Sequence, residues 1–463
     1  MSPPVGKAHL FALLECAAPL WPFQRSFAIL LQAARCHQHL ARLPLSMARM
    51  PTSIFTILAI TALAAPQFSA AETNWPAFRG NGNSTTPLKD LPLDWSDSEG
   101  IAWQVDLSGY GQSSPVIWED TVYATSTGGD SKEKLFVEAF NLDSGERRWI
   151  KEFKASSAPK EVNDYISRGA PTPVVDGAGV YAFFESGDLI ALNPSGELRW
   201  QRSLTAEYGD FLGNHGVGSS LVITPQSIVL LIDHDGPSYL LNIDKGTGEN
   251  RWKIDREARV SWATPLYLVH NDIEQIIVSS NGEAAAFNLE DGEKLWWIEG
   301  IEKNTVNAPT TNGDIVIIGS SEPTQTMAIS LGGSGDISES RVKWRAGQGI
   351  TSSFGSPLIH GDTVFFVNRA GALQAASIED GSVLWERRLP GSTWASPLAA
   401  ADRLYFFCKE GPTAVHSLDV TKTSEELATN PLTVAEGDRV YGFAVAPERI
   451  VIRLAEQLIA VGE

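Results

Sequence analysis

The sequence predicts an all-β chain folded as an eight-bladed β-propeller, with four antiparallel strands per blade and an N-terminal strand completing the last blade. Three observations predict it. One turn is spelled five times, each closing on a tryptophan: "NLDSGERRW" at 141–149, "NPSGELRW" to Trp200, "NIDKGTGENRW" to Trp252, "NLEDGEKLW" to Trp296 and "SIEDGSVLW" to Trp385. A second register follows each tryptophan, with Pro115, Pro173, Pro265, Pro309, Pro357 and Pro397 in one slot, joined by Leu221 and Ala444. Between these registers lie short β-rich runs punctuated by glycine, without the sustained 3.6-residue spacing of a long helix.

The slot positions are 58, 48, 44, 44, 48, 40 and 47 residues apart, a period that suits propeller blades. Eight units fit; seven would remain if the last, lacking both proline and tryptophan, were not a blade. In the unit from Pro173 to Trp200, Val174 and Val175 open a strand and Asp176-Gly177 turn it. "VYAFF" is the second strand, "LIALN" the third and "ELRW" the fourth. Glycine marks the turns because tight hairpin loops need positive φ, which a Cβ resists. A four-stranded sheet cannot bury both faces alone, so blades must stack. A tryptophan at the joint buries on the order of 200 Å². Trp103, Trp149, Trp200, Trp252, Trp296, Trp344 and Trp385 are therefore expected to be scaffold.

The chain ends in "LIAVGE", a third-strand pattern, and "IAWQVDL" near the start is its expected partner. Closing the ring this way removes the open edges that invite aggregation. Ahead of the repeats, residues 47–71 carry Arg49, an apolar run over 54–65 and then small residues, the layout of a secretory signal. Residues 1–46 are read as an upstream extension from a misplaced start, or as part of a longer targeting segment, leaving 72–463 as the propeller. Export would take away five basic residues and one acid, leaving 31 basic and 54 acidic residues and a net charge of −23. Such a surface repels nucleic acid and anionic lipid. No stretch is long and apolar enough to span a membrane. Only Cys408 remains after residue 71, so no intramolecular disulfide is available.

The repeat type "GDLIALNPSGELRW" resembles the pyrroloquinoline-quinone-like (PQQ-like) propeller repeat over residues 73–463. The opening "NWPAFRGNGNS" at 74–84 is similar to that of exported propeller proteins of planctomycete-type bacteria. The resemblance implies three different functions, and fold does not choose among them. One is quinone- and calcium-dependent alcohol dehydrogenation, another a scaffold in outer-membrane barrel assembly, and the third a sensor attached to kinases. The dehydrogenases carry an adjacent cysteine pair, which this sequence lacks, and a carboxylate-rich calcium site. Raw material for such a site is Asp233, His234 and Asp235 in "LIDHDG", with Asn163, Asp164 and Arg168 in a longer connection. The barrel-assembly subunit is a lipoprotein, and no lipidation cysteine stands near residue 71. Neither "HRD" nor "DFG" occurs, which removes the kinase chemistry.

One constellation stands above the repeat. Three positions before the slot stand Gln112, Ala170, Gly218, Trp262, Val306, Phe354, Trp394 and Tyr441. This register should circle one mouth of the central channel, where aromatic side chains suit a sugar ring or a peptide side chain. The loops at 154–169 and 205–218 exceed hairpin length and should roof the same face, bringing Tyr165, Arg168, Tyr208 and His215 toward a ligand. The expected ligand-binding set is Trp262, Phe354, Trp394, Tyr441, Arg168 and His215. The reading is an exported, periplasmic or secreted, non-catalytic binding or scaffold protein with a protein or glycan partner and no cofactor. The alternative is a dehydrogenase using pyrroloquinoline quinone with calcium.

Overall fold

The computed structural model describes residues 74–157, 168–213, 215–303, 305–322, 324–347, 350–352, 354–418 and 424–462. The expected signal segment and upstream extension lie outside these residues, as do Asn163, Asp164 and Tyr165. Among the described residues, the strands form eight sheets arranged in a ring, each with four antiparallel strands. Blade 1 runs Val116–Trp118, Thr121–Gly128, Lys134–Asn141 and Arg147–Lys154, from the channel outward. Blades 2 to 7 repeat that order, with inner strands beginning at Val174, Val222, Leu266, Thr310, Leu358 and Leu398. Blade 8 takes Gly442–Ala446, Arg449–Arg453 and Gln457–Gly462 from the C-terminus and its outer strand, Ile101–Asp106, from near the N-terminus. The register is antiparallel, Trp103 opposite Ala460 and Val105 opposite Leu458. The last unit is thus a full blade, and the count is eight.

The repeated turn works through contacts between neighbouring blades. Its first residue caps the turn: the side-chain oxygens of Asn141, Asn193, Asp244 and Asn288 accept backbone N–H groups two or three residues on. Its glycine has φ of +69° to +81° at Gly145, Gly196, Gly248 and Gly292. A Cβ there would lie 2.6–3.1 Å from the tryptophan of the preceding blade, Trp103, Trp149, Trp200 and Trp252 respectively. Each of those indole N–H groups donates to a carbonyl of the same turn: Leu142, Pro194, Lys245 and Leu289, at 2.7–3.0 Å. Trp344 repeats the arrangement with Gly381 and the Ile378 carbonyl. One motif therefore holds both halves of the joint, a glycine that receives one blade's tryptophan and a tryptophan that docks on the next blade's glycine.

The joint after blade 4 departs from this pattern. There "LGGSGDISES" replaces the short turn, and its Gly335–Asp336 pairs parallel to Trp296 and Trp297. The buried Trp296 indole nitrogen has no acceptor among the described residues, because the inserted turn carries the usual carbonyl away. In blade 7, residues 419–423 lie outside the described residues.

Gly248→Ala is expected to cost about 1–3 kcal/mol, from left-handed strain plus overpacking against Trp200. Gly246→Ala is the control: it lies in the same turn at ordinary φ, with only the Asp244 carboxylate at 3.2 Å. Equal urea midpoints for the two variants would refute the docking role of the glycine.

Candidate functional site

A belt of hydroxyls holds the top of the channel together. The residue before five of the six slot prolines is Ser114, Thr172, Thr264, Ser356 or Ser396, Ala308 precedes Pro309, and Ser220 fills the same position before Leu221. The backbone N–H of one blade donates to the hydroxyl of the next: Ser114 to Thr172, Thr172 to Ser220, Ser220 to Thr264, Ala308 to Ser356 and Ser356 to Ser396, each at 3.0 Å. The gap between the two runs falls where Ala308 offers no hydroxyl. The repeated Ser/Thr-Pro dipeptide was the signal for this belt, and attention to the proline alone misses it.

Above the belt opens a cavity of about 350 Å³, at the lower end of small-ligand sites. All eight residues of the register three positions before the slot line it. The aromatic ones form a continuous wall on blades 6 to 8: the Phe354 and Trp394 rings are 5.1 Å apart, and Trp394 and Tyr441 5.6 Å apart. Trp262, from blade 4, packs 5.9 Å from the His215 ring and donates its indole N–H to the Gly216 carbonyl at 3.0 Å. In a ring of eight, each blade faces the fourth one on, so Phe354 looks across at Ala170 and Trp394 at Gly218. These two large side chains opposite small ones leave a slot between them, with Trp262 and Tyr441 at its ends.

Charge completes the picture of this wall. The Arg369 guanidinium lies 5.5 Å from the Phe354 ring centre, and that of Arg439 5.0 Å from the Trp394 ring centre. The Tyr441 and Tyr110 hydroxyls are 2.8 Å apart, and Gln112 donates to Tyr110 at 3.0 Å. Burial, then the hydrogen bond to Tyr110, pushes the Tyr441 phenol up, so it stays protonated at neutral pH.

Two residues expected at the mouth lie elsewhere. Arg168 is 6% exposed, donates to the Ser157 carbonyl at 2.8 Å and pairs with Glu185 at 3.5 Å; it is not among the lining residues. Burial pulls the Arg168 guanidinium down and pushes the Glu185 carboxyl up. Tyr208 closes the helical turn Leu204–Tyr208, which carries it to the joint of blades 2 and 3, where it packs 5.1 Å from Tyr239.

The floor of the cup comes from the N-terminal segment, a role not legible from "NWPAFRGNGNS". Trp75 bridges to Ile117 of blade 1, and the Pro76 carbonyl accepts from Val175 of blade 2. Asn83 accepts from Thr311 of blade 5, and Thr85–Thr86 pairs parallel to the inner strand of blade 7. Arg79, 3% exposed, donates to the Pro309 carbonyl at 3.2 Å, the Thr310 hydroxyl at 2.9 Å and the Pro357 carbonyl at 2.8 Å. Burial draws its pKa down to about 9, so it remains charged at neutral pH. Phe78 stands between the upper cup and a second cavity of about 400 Å³ against blades 3 and 4.

The donor set does not suit a calcium–quinone pair. Calcium takes six to eight oxygen ligands, carboxylates prominent among them. No Asp or Glu stands among the described lining residues, and no cluster of three or more His, Cys, Asp or Glu occurs among the described residues. The "LIDHDG" residues are engaged elsewhere: Asp233 pairs with Arg256 at 3.1 Å, both side chains buried, and accepts from Ser280 at 2.5 Å. The Nδ1 of His234 accepts the N–H groups of Leu212 and Gly236 at 3.0 Å, fixing the turn at Asp235. Cys408 is buried and its thiol is pushed up to about 11 by burial.

Comparison with known proteins agrees with this architecture. The family described as outer membrane protein assembly factor BamB matches residues 93–211, 212–344 and 336–442. Similar solved structures include BamB from Moraxella catarrhalis, with TM-score 0.57 and 15% identity over 78% of this chain and 97% of that one. A europium-containing methanol dehydrogenase has TM-score 0.57 and 11% identity over 82% and 89% of the two chains. A quinohemoprotein alcohol dehydrogenase from Pseudomonas putida HK5 has TM-score 0.60 and 12% identity over 85% and 81%. At these identities the likeness shows the fold alone. The comparison with curated protein sequences returns no match. The chain belongs to the PQQ-like repeat β-propeller family, through the branch described as outer membrane protein assembly factor BamB.

Proposed function

We propose that this chain is an exported, non-catalytic binding or scaffold protein that takes part of a protein or glycan partner into the channel mouth. The observation that carries the reading is the lopsided cup: Phe354 and Trp394 of a continuous aromatic wall face Ala170 and Gly218 across a cavity without a described carboxylate. Aromatic walls provide contact area at low entropic cost. The family's description as an assembly factor supports an interaction role. Among the described residues no helix is long and apolar enough to cross a membrane. Export rests on the sequence pattern at 47–71.

Partner capture from the exported fraction tests this reading. Capture is expected with the unaltered protein and lost, by at least about tenfold in affinity, in Trp262→Ala and Trp394→Ala. Undiminished capture by both folded variants would remove the channel mouth from the interaction.

The second reading, a quinone- and calcium-dependent dehydrogenase, is favoured by the two dehydrogenases of similar fold. Titration with pyrroloquinoline quinone and Ca²⁺, followed by absorbance and thermal shift, separates the two. A stoichiometric bound chromophore with a raised melting point would reverse the order of the readings. The expected result is no binding at high micromolar quinone.

A further inference from the structure

The inner surface of the cup is rich in hydrogen-bond donors. Thr172, Ser220 and Thr264 line it, are 2%, 4% and 8% exposed, and each accepts a backbone N–H from the preceding blade. With that lone pair engaged, each hydroxyl keeps a proton to donate, and no acceptor for it occurs among the described residues. At the wall of a cavity these three protons suit a ligand bearing oxygen acceptors. Arg369 adds a guanidinium at the rim, and no described lining residue is a carboxylate. This contrasts with a chain of net charge −19. A local positive site on an acidic molecule selects for an anion and steers it inward.

Shape narrows the choice. The donors sit on three consecutive blades, 2 to 4, so acceptors are wanted around the edge of the ligand and not at one point. The Phe354 and Trp394 rings, 5.1 Å apart and tilted 55° to each other, make an angled aromatic corner against which an apolar ring surface can pack. Phe78 lines the cup next to the second cavity, and a volume of about 350 Å³ takes in only the end of a longer ligand. A simple aromatic acid would leave the spread hydroxyls unmet.

We propose that the cup is an end-on site for a negatively charged sugar ring, a uronate at the terminus of a glycan, stacked on Phe354 and Trp394 with its carboxylate toward Arg369. This rests on the channel-mouth binding reading and specifies its ligand. The full-length purified protein is titrated by calorimetry and tryptophan fluorescence with galacturonic acid, its linear trimer, the neutral galactose trimer and 4-hydroxybenzoate.

The acidic trimer is expected to bind at least tenfold more tightly than the neutral one, with the monomer within about threefold of the acidic trimer. Raising salt from 50 to 500 mM should weaken only the acidic probes. Arg369→Gln, an exposed position, should abolish the preference for the acidic trimer while leaving the melting temperature unchanged. Trp394→Ala should weaken both trimers alike. Equal affinity for the two trimers, lost in Trp394→Ala, would overturn the anion proposal and leave the channel-mouth reading standing. Tighter binding of 4-hydroxybenzoate than of any sugar would replace the sugar with an aromatic acid. Absence of binding by all four probes overturns the proposal, whereas the channel-mouth reading stands or falls on partner capture.

Discussion

Trp103→Ala is expected to destabilise the protein by about 3–5 kcal/mol, the cost of truncating a buried large aromatic. Trp103 is 7% exposed, donates to the Leu142 carbonyl at 2.7 Å and covers Gly145 of blade 1. Its strand is also the one that joins the two ends of the chain, Ile101–Asp106 against Gln457–Gly462. Loss of the indole therefore loosens both the joint between blades 8 and 1 and the closure of the ring. Urea denaturation reads the first effect. Limited proteolysis reads the second, with early cleavage N-terminal to residue 107 expected in Trp103→Ala. It is not expected in Trp200→Ala, whose joint lies inside the continuous chain. A cost below 1 kcal/mol, or the same cleavage pattern in both variants, would contradict the seam role.

Arg79→Met should be nearly as damaging, at about 2–4 kcal/mol. Hydrogen bonds to a charged group contribute roughly 1.5–3 kcal/mol each, and removing the guanidinium leaves buried carbonyls unsatisfied. Relief of the desolvated charge offsets part of that loss. The affected carbonyls belong to Pro309 and Pro357, so the tie between blades 5 and 6 at the channel axis is lost. Arg79→Lys should recover less than half of the stability, since a single ammonium on a flexible stem cannot reproduce the planar fork. The floor of the cup moves with this segment, because Phe78 adjoins Arg79 in sequence and lines the cavity. Urea midpoints of the two variants equal to that of the unaltered protein would show that the segment is an ornament on a self-sufficient ring.

Much of the architecture was legible because its determinants are local. A turn such as Asn141-Leu142-Asp143-Ser144-Gly145 is specified by an Asx cap and a positive-φ glycine within five residues, and five copies make a repeat. The slot prolines set the register, and the register placed Trp262, Phe354, Trp394 and Tyr441 at one height around the channel. Their facing residues follow from the blade count. His215 also lines the cavity, whereas Arg168 turns to Glu185, and nothing in the loop sequence distinguishes those two fates.

While the structure fixed the last unit as the eighth blade, the sequence by itself determined the strand pattern, the blade repeat, the tryptophan joints and the ring of residues at the mouth. Each of these depends on backbone preferences and on a period that recurs within about fifty residues. Only the tertiary structure decided what those residues meet. The motif glycine receives the tryptophan of the blade before it, the Ser/Thr hydroxyls form a belt across blades, and Asp233 pairs with Arg256 in place of ligating a metal. Arg79 reaches Pro357, 278 residues away, to floor the cup. Such contacts arise because closing the ring brings distant chain segments to one axis. Hydrogen-bond donors and acceptors buried there must pair with whatever the topology delivers.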